Sequence, residues 1–119
     1  MKKILVAASM AVSFVAIAQV DIGKPYKIES DPSATYYNLE IGGSGNLRTI
    51  VTKREGKSGT SFSKREVNCA NRTFRYLGDG DSLAAMKASK PSPNMGPLTA
   101  RSISSYVADQ ACAAQPKAK

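Results

Sequence analysis

The middle of the chain alternates between short apolar stretches and glycine-bearing polar stretches, a pattern that is typical of β-strands. Strand-favouring residues concentrate in four segments, 35–41, 47–54, 60–68 and 70–77. Tight turns at 42–46, 55–59 and 78–82 separate or close them. Short strands joined by such turns predict an antiparallel meander.

The side-chain parity of this pattern is irregular near its end. Val67 and Cys69 share one parity, whereas Phe74 and Tyr76 share the other. If these residues face a single core, the chain needs a bulge or bend near Asn71, a residue type that tolerates unusual backbone angles. Otherwise, the strand is covered on both faces.

The pattern changes after the strands. Residues 83–89 fit either a short helix or a strand, and residues 90–97 contain three prolines and predict a loop. A helix then begins after Thr99 or Ser102, either of which can cap it, and runs to about Ala111. The fold class that follows is α+β, a small antiparallel sheet with a C-terminal helix. Residues 21–33 predict an extended lead-in, and residues 113–119 predict a disordered tail.

The first residues have the features of a secretory signal peptide. Lys2 and Lys3 precede an uncharged, largely apolar run of 15 residues that ends in Ala16-Ile17-Ala18. This run is shorter than the roughly 20 apolar residues of a membrane-spanning helix, although an uncleaved anchor remains the alternative. We predict a signal peptide at 1–18, cleavage before Gln19, a single domain at 19–112, and export to the periplasm or the cell surface.

The two cysteines of the chain, Cys69 and Cys112, both lie in the predicted mature domain. In an exported protein, a low and even cysteine count predicts one disulfide, which would tie the helix to the sheet. Two free thiols or a metal pair are the alternatives. A single small domain has a limited core, so a disulfide would supply a large share of its stability.

Several chemistries lack their usual residues. The chain contains no histidine, which removes the common general base, the usual nucleophile systems and most zinc sites. Gly56-Lys57-Ser58 lacks the preceding glycine of a phosphate-binding loop, and Asp79 to Ser82 lacks the closing acid of an EF-hand calcium loop. We therefore predict a protein that is not an enzyme, with no catalytic residue, no metal site and no cofactor.

The segment from Glu66 through Asn68, Cys69, Arg72 and Phe74 to Leu77 resembles the surface-adhesin E family of small secreted bacterial proteins. A glycine-rich turn, a proline- and serine-bearing segment and a helix ending in a second cysteine follow, as in that family. The similarity extends over roughly 47–112, although Asn68 often corresponds to Asp in the family and the chain has no tryptophan. The resemblance implies an antiparallel sheet with a disulfide-tied C-terminal helix and, for some members, adhesion to host matrix proteins.

Positive charge is the remaining functional signal. The predicted mature chain carries 15 basic and nine acidic residues. Five basic residues lie around one turn and form a predicted basic hairpin: Lys53, Arg54, Lys57, Lys64 and Arg65. We predict that this hairpin contacts an acidic protein or glycan by electrostatic attraction, and we expect no nucleic-acid partner. A solvated surface that only keeps the protein soluble is the alternative, and a periplasmic inhibitor or accessory protein is the second functional hypothesis.

Overall fold

A computed structural model describes residues 21–114 of the chain. Within this range, the strands are β1 (Pro25–Ile28), β2 (Asp31–Ser44), β3 (Leu47–Gly56), β4 (Gly59–Asn68), β5 (Thr73–Gly80) and β6 (Gly96–Pro97). The helices are α1 (Leu83–Ala88) and α2 (Ile103–Ala113). The predicted signal peptide and the end of the predicted tail lie outside the described residues.

The strands form one antiparallel sheet in which the spatial order β1 to β6 equals the order along the chain. This arrangement is a meander, because each strand pairs with the next one along the chain. The connections are short except between β5 and β6, where the chain forms α1. Only two residues separate the paired ends in each of the first three hairpins: Ile28 and Asp31, Ser44 and Leu47, and Gly56 and Gly59. The β1–β2 and β2–β3 pairs also contain a register shift farther along the strands. The predicted α+β class, with an antiparallel meander and a C-terminal helix, is confirmed.

One face of the sheet, here called the inner face, forms the core with α2. The strands contribute Ile28, Ile50 and Val67, all fully buried, and α2 contributes Val107 and Ala108, which are also fully buried. Small residues on α2 allow the helix to approach the sheet closely, and apolar area removed from water stabilises the fold by about 25 cal/mol per Å². Ser102 caps the helix by accepting a hydrogen bond from the backbone N–H of Ser105.

A disulfide fastens α2 to the sheet. Cys69 follows the last residue of β4, Cys112 lies in the last turn of α2, and their Cα atoms are 5.7 Å apart. The predicted pairing is therefore confirmed, and no free cysteine remains. The bond joins two points that are distant in sequence, so it restricts the unfolded chain as well as holding the helix in place.

Strand boundaries differ from the predictions at several places. Strand β1 was not predicted, because its proline and the nearby glycine are uncommon within strands. It is an edge strand that starts at Pro25, a position where no backbone N–H is needed for pairing. The predicted strand over 70–77 begins later, at Thr73, because residues 69–72 form the turn between β4 and β5. The chain therefore does bend near Asn71, but the residue with a positive φ angle, 58°, is Arg72.

The predicted turn at 78–82 is partly strand, since β5 continues to Gly80. A Cβ atom at Gly78 would lie 2.2 Å from the carbonyl oxygen of Met86, and one at Gly80 would lie 2.7 Å from the Cβ atom of Ala85. Both glycines are therefore required for α1 to lie directly against β5. The ambiguous segment 83–89 is the helix α1, which packs on the outer face of the sheet, opposite α2.

Two bulges alter the register of the sheet. Asn38 pairs with Thr52 and Glu40 with Val51, so Leu39 is an extra residue in β2. In β5, Leu77 is likewise an extra residue opposite the junction of Lys64 and Arg65. A bulge bends its strand and reverses which side chains face the core beyond it.

No helix in the described part of the chain is long and apolar enough to cross a membrane.

Candidate functional site

The five residues of the predicted basic hairpin do not lie on one surface. Consecutive residues of a strand point to opposite faces, and the hairpin contains two consecutive basic pairs. Lys53 and Lys64 lie on the outer face, whereas Arg54 and Arg65 lie on the inner face. The geometry thus corrects the prediction of a single basic surface; whether the exposed members contact a partner stays a prediction.

Lys53 already has an acidic partner within the protein. Its Nζ atom lies 2.8 Å from Oε1 of Glu55 and 5.5 Å from the centre of the Tyr37 ring. The Tyr37 hydroxyl donates a hydrogen bond to the same carboxylate. This contact raises the pKa of Lys53 and lowers the pKa of Glu55, because each charge stabilises the other. Contact with an external acid would compete with this pair.

Arg54 is likewise neutralised internally. Its Nε atom donates to Oδ2 of Asp31 at 2.8 Å and its Nη2 atom donates to Oδ1 at 3.2 Å. The hydroxyl of Tyr36 donates to the same carboxylate. Hydrogen bonds from Arg54 and then Tyr36 lower the pKa of Asp31. Burial, with a further contribution from Asp31, raises the pKa of Tyr36 to about 12. This cluster fastens the start of β2 to β3.

Arg65 lies beneath α2 and is only 4% exposed. Its guanidinium donates hydrogen bonds to Ser104, Thr52 and the hydroxyl of Tyr76, at 3.1, 3.2 and 3.2 Å. It also lies 4.8 Å from the centre of the Tyr76 ring. All these partners are neutral, so Arg65 is a buried charge held by hydroxyl groups and an aromatic ring. It connects α2 to the sheet and cannot reach a partner on the surface.

Lys57 and Lys64 are the members that keep a free charge. Lys57 is exposed in the two-residue β3–β4 turn, and neither lysine forms a salt bridge within residues 21–114. Lys64 lies near the middle of β4, where it pairs with Val51 of β3. The two lysines are therefore separated by the length of half a strand, and Lys64 faces a cavity.

That cavity, here called the outer groove, lies between the outer face of the sheet and α1. It has a volume of about 300 Å³, at the lower end of the range for small-ligand sites. Val51 and Met86 are almost fully buried, at 5% and 4% exposure, and form its apolar floor. The lining residues are Glu40, Val51, Lys64, Leu77, Met86, Lys87 and Pro91.

The charged residues of the outer groove are two lysines and one acid. Lys64 comes from β4, Lys87 from α1 and Glu40 from β2. No salt bridge joins any of them to another of the described residues. Lys90 follows closely in the chain and is exposed. The groove thus combines an apolar floor with a net positive rim, which suits an anionic group attached to an apolar one.

The walls of the outer groove are held by fixed contacts. Ser82 caps α1 by accepting a hydrogen bond from the backbone N–H of Ala85 at 3.0 Å. Beyond the helix, the N–H of Ser92 donates to the carbonyl of Tyr76 at 2.8 Å. The carbonyl of Ser92 accepts from Nη1 of Arg75 at 3.1 Å. Ser92 thereby fastens the end of the segment that carries Met86, Lys87 and Pro91 to β5, and the Ser82 cap fixes the start of α1, so contacts within the protein shape the groove.

A second cavity, of about 250 Å³, lies beside the start of α2 and is lined by Glu29, Ser30, Arg101 and Tyr106. The hydroxyl of Tyr106 donates to Glu29 at 3.4 Å. Its one basic and one acidic side chain give it no net charge, and the floor lacks the aliphatic residues of the outer groove. The outer groove is therefore the stronger candidate for a binding site.

Sequence reasoning found Lys64 but missed Lys87 and the groove itself. A usable signal was present, since Gly78 and Gly80 alternate immediately before a segment with a helix cap at Ser82. Alternating glycines on one strand face indicate that another element packs closely there. The outer groove is the edge of that contact.

No protein-family model matches the chain, and neither a curated protein nor a solved structure does so. The resemblance to the surface-adhesin E family, made from residues 47–112, therefore stays a prediction.

Proposed function

We propose that the chain is an exported, non-enzymatic binding protein that holds an acidic partner at the outer groove. One observation carries this proposal: Lys64 and Lys87 converge on an apolar-floored cavity, and neither forms a salt bridge within residues 21–114. A lysine whose charge is not already paired can interact with an external anion without breaking an existing contact.

The proposed contact lies away from most of the basic hairpin. A partner that approached Lys53 or Arg54 would have to displace Glu55 or Asp31. Arg65 is buried and unavailable. Lys57 remains free, and its position in an exposed turn makes it a second, separate point of attraction for an acidic protein or glycan.

Export is proposed from the sequence and is compatible with the structure. The signal peptide predicted at 1–18 supplies the route, and a disulfide such as Cys69–Cys112 persists in oxidising compartments outside the cytosol. Sequencing the N-terminus of the protein from an exported fraction tests this part: a start at Gln19 supports it, and a start at Met1 contradicts it. Protease treatment of intact cells then separates a surface location from a periplasmic one.

The binding proposal is tested by titrating ¹⁵N-labelled mature protein with hexaglutamate and with a heparin-derived hexasaccharide. Amide shifts that cluster at Lys64, Lys87 and their neighbours are the expected result. The double variant Lys64→Gln/Lys87→Gln should weaken binding about tenfold, because each partly exposed charge pair contributes up to about 1 kcal/mol.

The matched control is Lys24→Gln/Lys27→Gln, which removes the same charge from β1 and the residue before it and should leave binding nearly unchanged. Equal losses in the two double variants mean that net charge alone attracts the anion, and the groove assignment is then wrong. Shifts confined to Lys57 would place the contact at the β3–β4 turn instead.

A further inference from the structure

We propose that the group bound in the outer groove is the C-terminal end of a protein chain whose last residue is apolar. This inference rests on the proposed function and names the chemistry of the acidic partner. Two lysines that form no salt bridge among the described residues lie beside an aliphatic floor, and this suits a ligand that presents a carboxylate close to an apolar group. A free C-terminus with a residue such as leucine has this arrangement.

The size of the groove supports a short ligand segment. Its volume of about 300 Å³ corresponds to roughly ten water-sized groups, which is enough for one or two residues. The apolar side chain would lie against Val51, Leu77 and Met86, and Pro91 would cover it from the loop side. The groove is only partly enclosed, so the remainder of the partner chain can leave it towards solvent.

The charge distribution also limits the ligand. Lys64 and Lys87 provide two positive charges, while Glu40 on the same rim provides one negative charge. One carboxylate is attracted, but a second acidic group beside it would approach Glu40 and be repelled. The groove should therefore prefer an apolar C-terminal residue to an acidic one, which distinguishes it from a general polyanion-binding patch.

Four peptides of matched length test this inference by calorimetry and by amide shifts in the wild-type protein. The reference is acetyl-Gly-Gly-Ala-Ala-Leu with a free carboxylate. Its C-terminal amide lacks the charge, acetyl-Gly-Gly-Ala-Ala-Gly lacks the apolar group, and acetyl-Gly-Gly-Ala-Ala-Asp adds a second acid. Each change should weaken binding about tenfold, and the shifts should map to residues that line the groove.

Two variants add a test on the protein side. Lys64→Gln/Lys87→Gln should reduce the preference for the free carboxylate over the amide to about twofold. Glu40→Gln should recover most of the affinity for the aspartate-ended peptide, because the repelling charge is gone. Circular dichroism verifies that each variant is folded, and the wild-type peptide series decides the question even if one is not.

The outcomes separate this inference from the broader function. Equal binding of the leucine peptide and its amide overturns it, as does octanoate binding more tightly than the leucine peptide. In the second case, a free amphiphile occupies the groove. If hexaglutamate shifts Lys64 and Lys87 but the leucine peptide does not, the C-terminus inference fails while the proposed function stands. If none of these anions shifts the groove residues, both fail.

Discussion

Arg65 offers the sharpest test of how this small domain holds together, since it is a buried charge whose partners are all neutral. Removing one of its acceptors, in Thr52→Val, leaves a guanidinium nitrogen without its hydrogen bond in a buried site. A hydrogen bond to a charged group contributes about 1.5–3 kcal/mol. We therefore expect Thr52→Val to lower the free energy of unfolding by about 2 kcal/mol.

Replacing the arginine itself has two opposing effects. Arg65→Met removes the hydrogen bonds to Thr52, Ser104 and Tyr76 and a cation–π contact of about 2 kcal/mol. It also removes a desolvation cost of several kcal/mol. The hydroxyls of Tyr76 and Ser104 are 3.3 Å apart and can bond to each other. The net loss should therefore be small, about 1–3 kcal/mol, despite the number of contacts deleted.

The double variant Arg65→Met/Thr52→Val allows the interaction energy between Arg65 and Thr52 to be measured. Once the guanidinium is gone, the hydroxyl of Thr52 has no partner, so its removal should cost almost nothing. Urea unfolding of the four proteins should give a coupling energy of about 2 kcal/mol. Thr49→Val, on the outer face of the same strand, is the control and should couple to Arg65→Met by less than about 0.5 kcal/mol. Additive effects of Arg65→Met and Thr52→Val would refute the reasoning, because the hydrogen bond would then contribute nothing.

Three further predictions concern the covalent, electrostatic and backbone supports of the fold. Cys69→Ser/Cys112→Ser opens a loop with a sequence separation of 43 and should cost roughly 4 kcal/mol in urea unfolding; a loss below about 1 kcal/mol contradicts this. Because the pKa of Asp31 is lowered in the folded protein, its stabilisation is present above pH 4 and lost on further acidification. In Asp31→Asn, the free energy of unfolding should therefore fall less steeply below pH 4 than in the wild type, and an unchanged slope contradicts this. Gly43→Ala forces a Cβ atom to 2.3 Å from a backbone oxygen at φ 92° and should lower the melting temperature more than Gly45→Ala, whose Cβ atom meets open space; equal shifts contradict this.

Local pattern was sufficient for the meander and for the C-terminal helix. The central strands follow from β-branched and aromatic residues between glycine turns, and α2 follows from its cap at Ser102 and its apolar spacing. The disulfide follows from the count of cysteines. These features depend on neighbouring residues and on composition, and both can be taken directly from the sequence.

The bulges and α1 depend on contacts between distant segments and were not predictable in the same way. Leu39 and Leu77 look like ordinary strand residues, and nothing beside them marks an extra position. Residues 83–89 could be assigned to a helix only because β5 offers two glycines for them to pack on. Tertiary packing, not intrinsic helix preference, determines whether such short elements form. The outer groove depends on both the bulges and α1.

The basic hairpin shows that basic residues clustered in a sequence are not all available to a binding partner in the folded protein. Lys53-Arg54 and Lys64-Arg65 are consecutive pairs on strands, so one member of each pair must face the core side of the sheet. The inward positions follow from parity with two core residues, Ile50 on β3 and Val67 on β4. In both pairs the inward residue is arginine, whose planar and weakly hydrated guanidinium can bond several groups at once, whereas the strongly hydrated lysine faces outward. Arg54 therefore joins β3 to Asp31 of β2, and Arg65 joins the sheet to α2. Among the five residues of the basic hairpin, only lysines remain for an acidic partner. Of the two outward-facing lysines, Lys53 already pairs with Glu55. Lys64, at the outer groove, is therefore the one that can pair with an external acid.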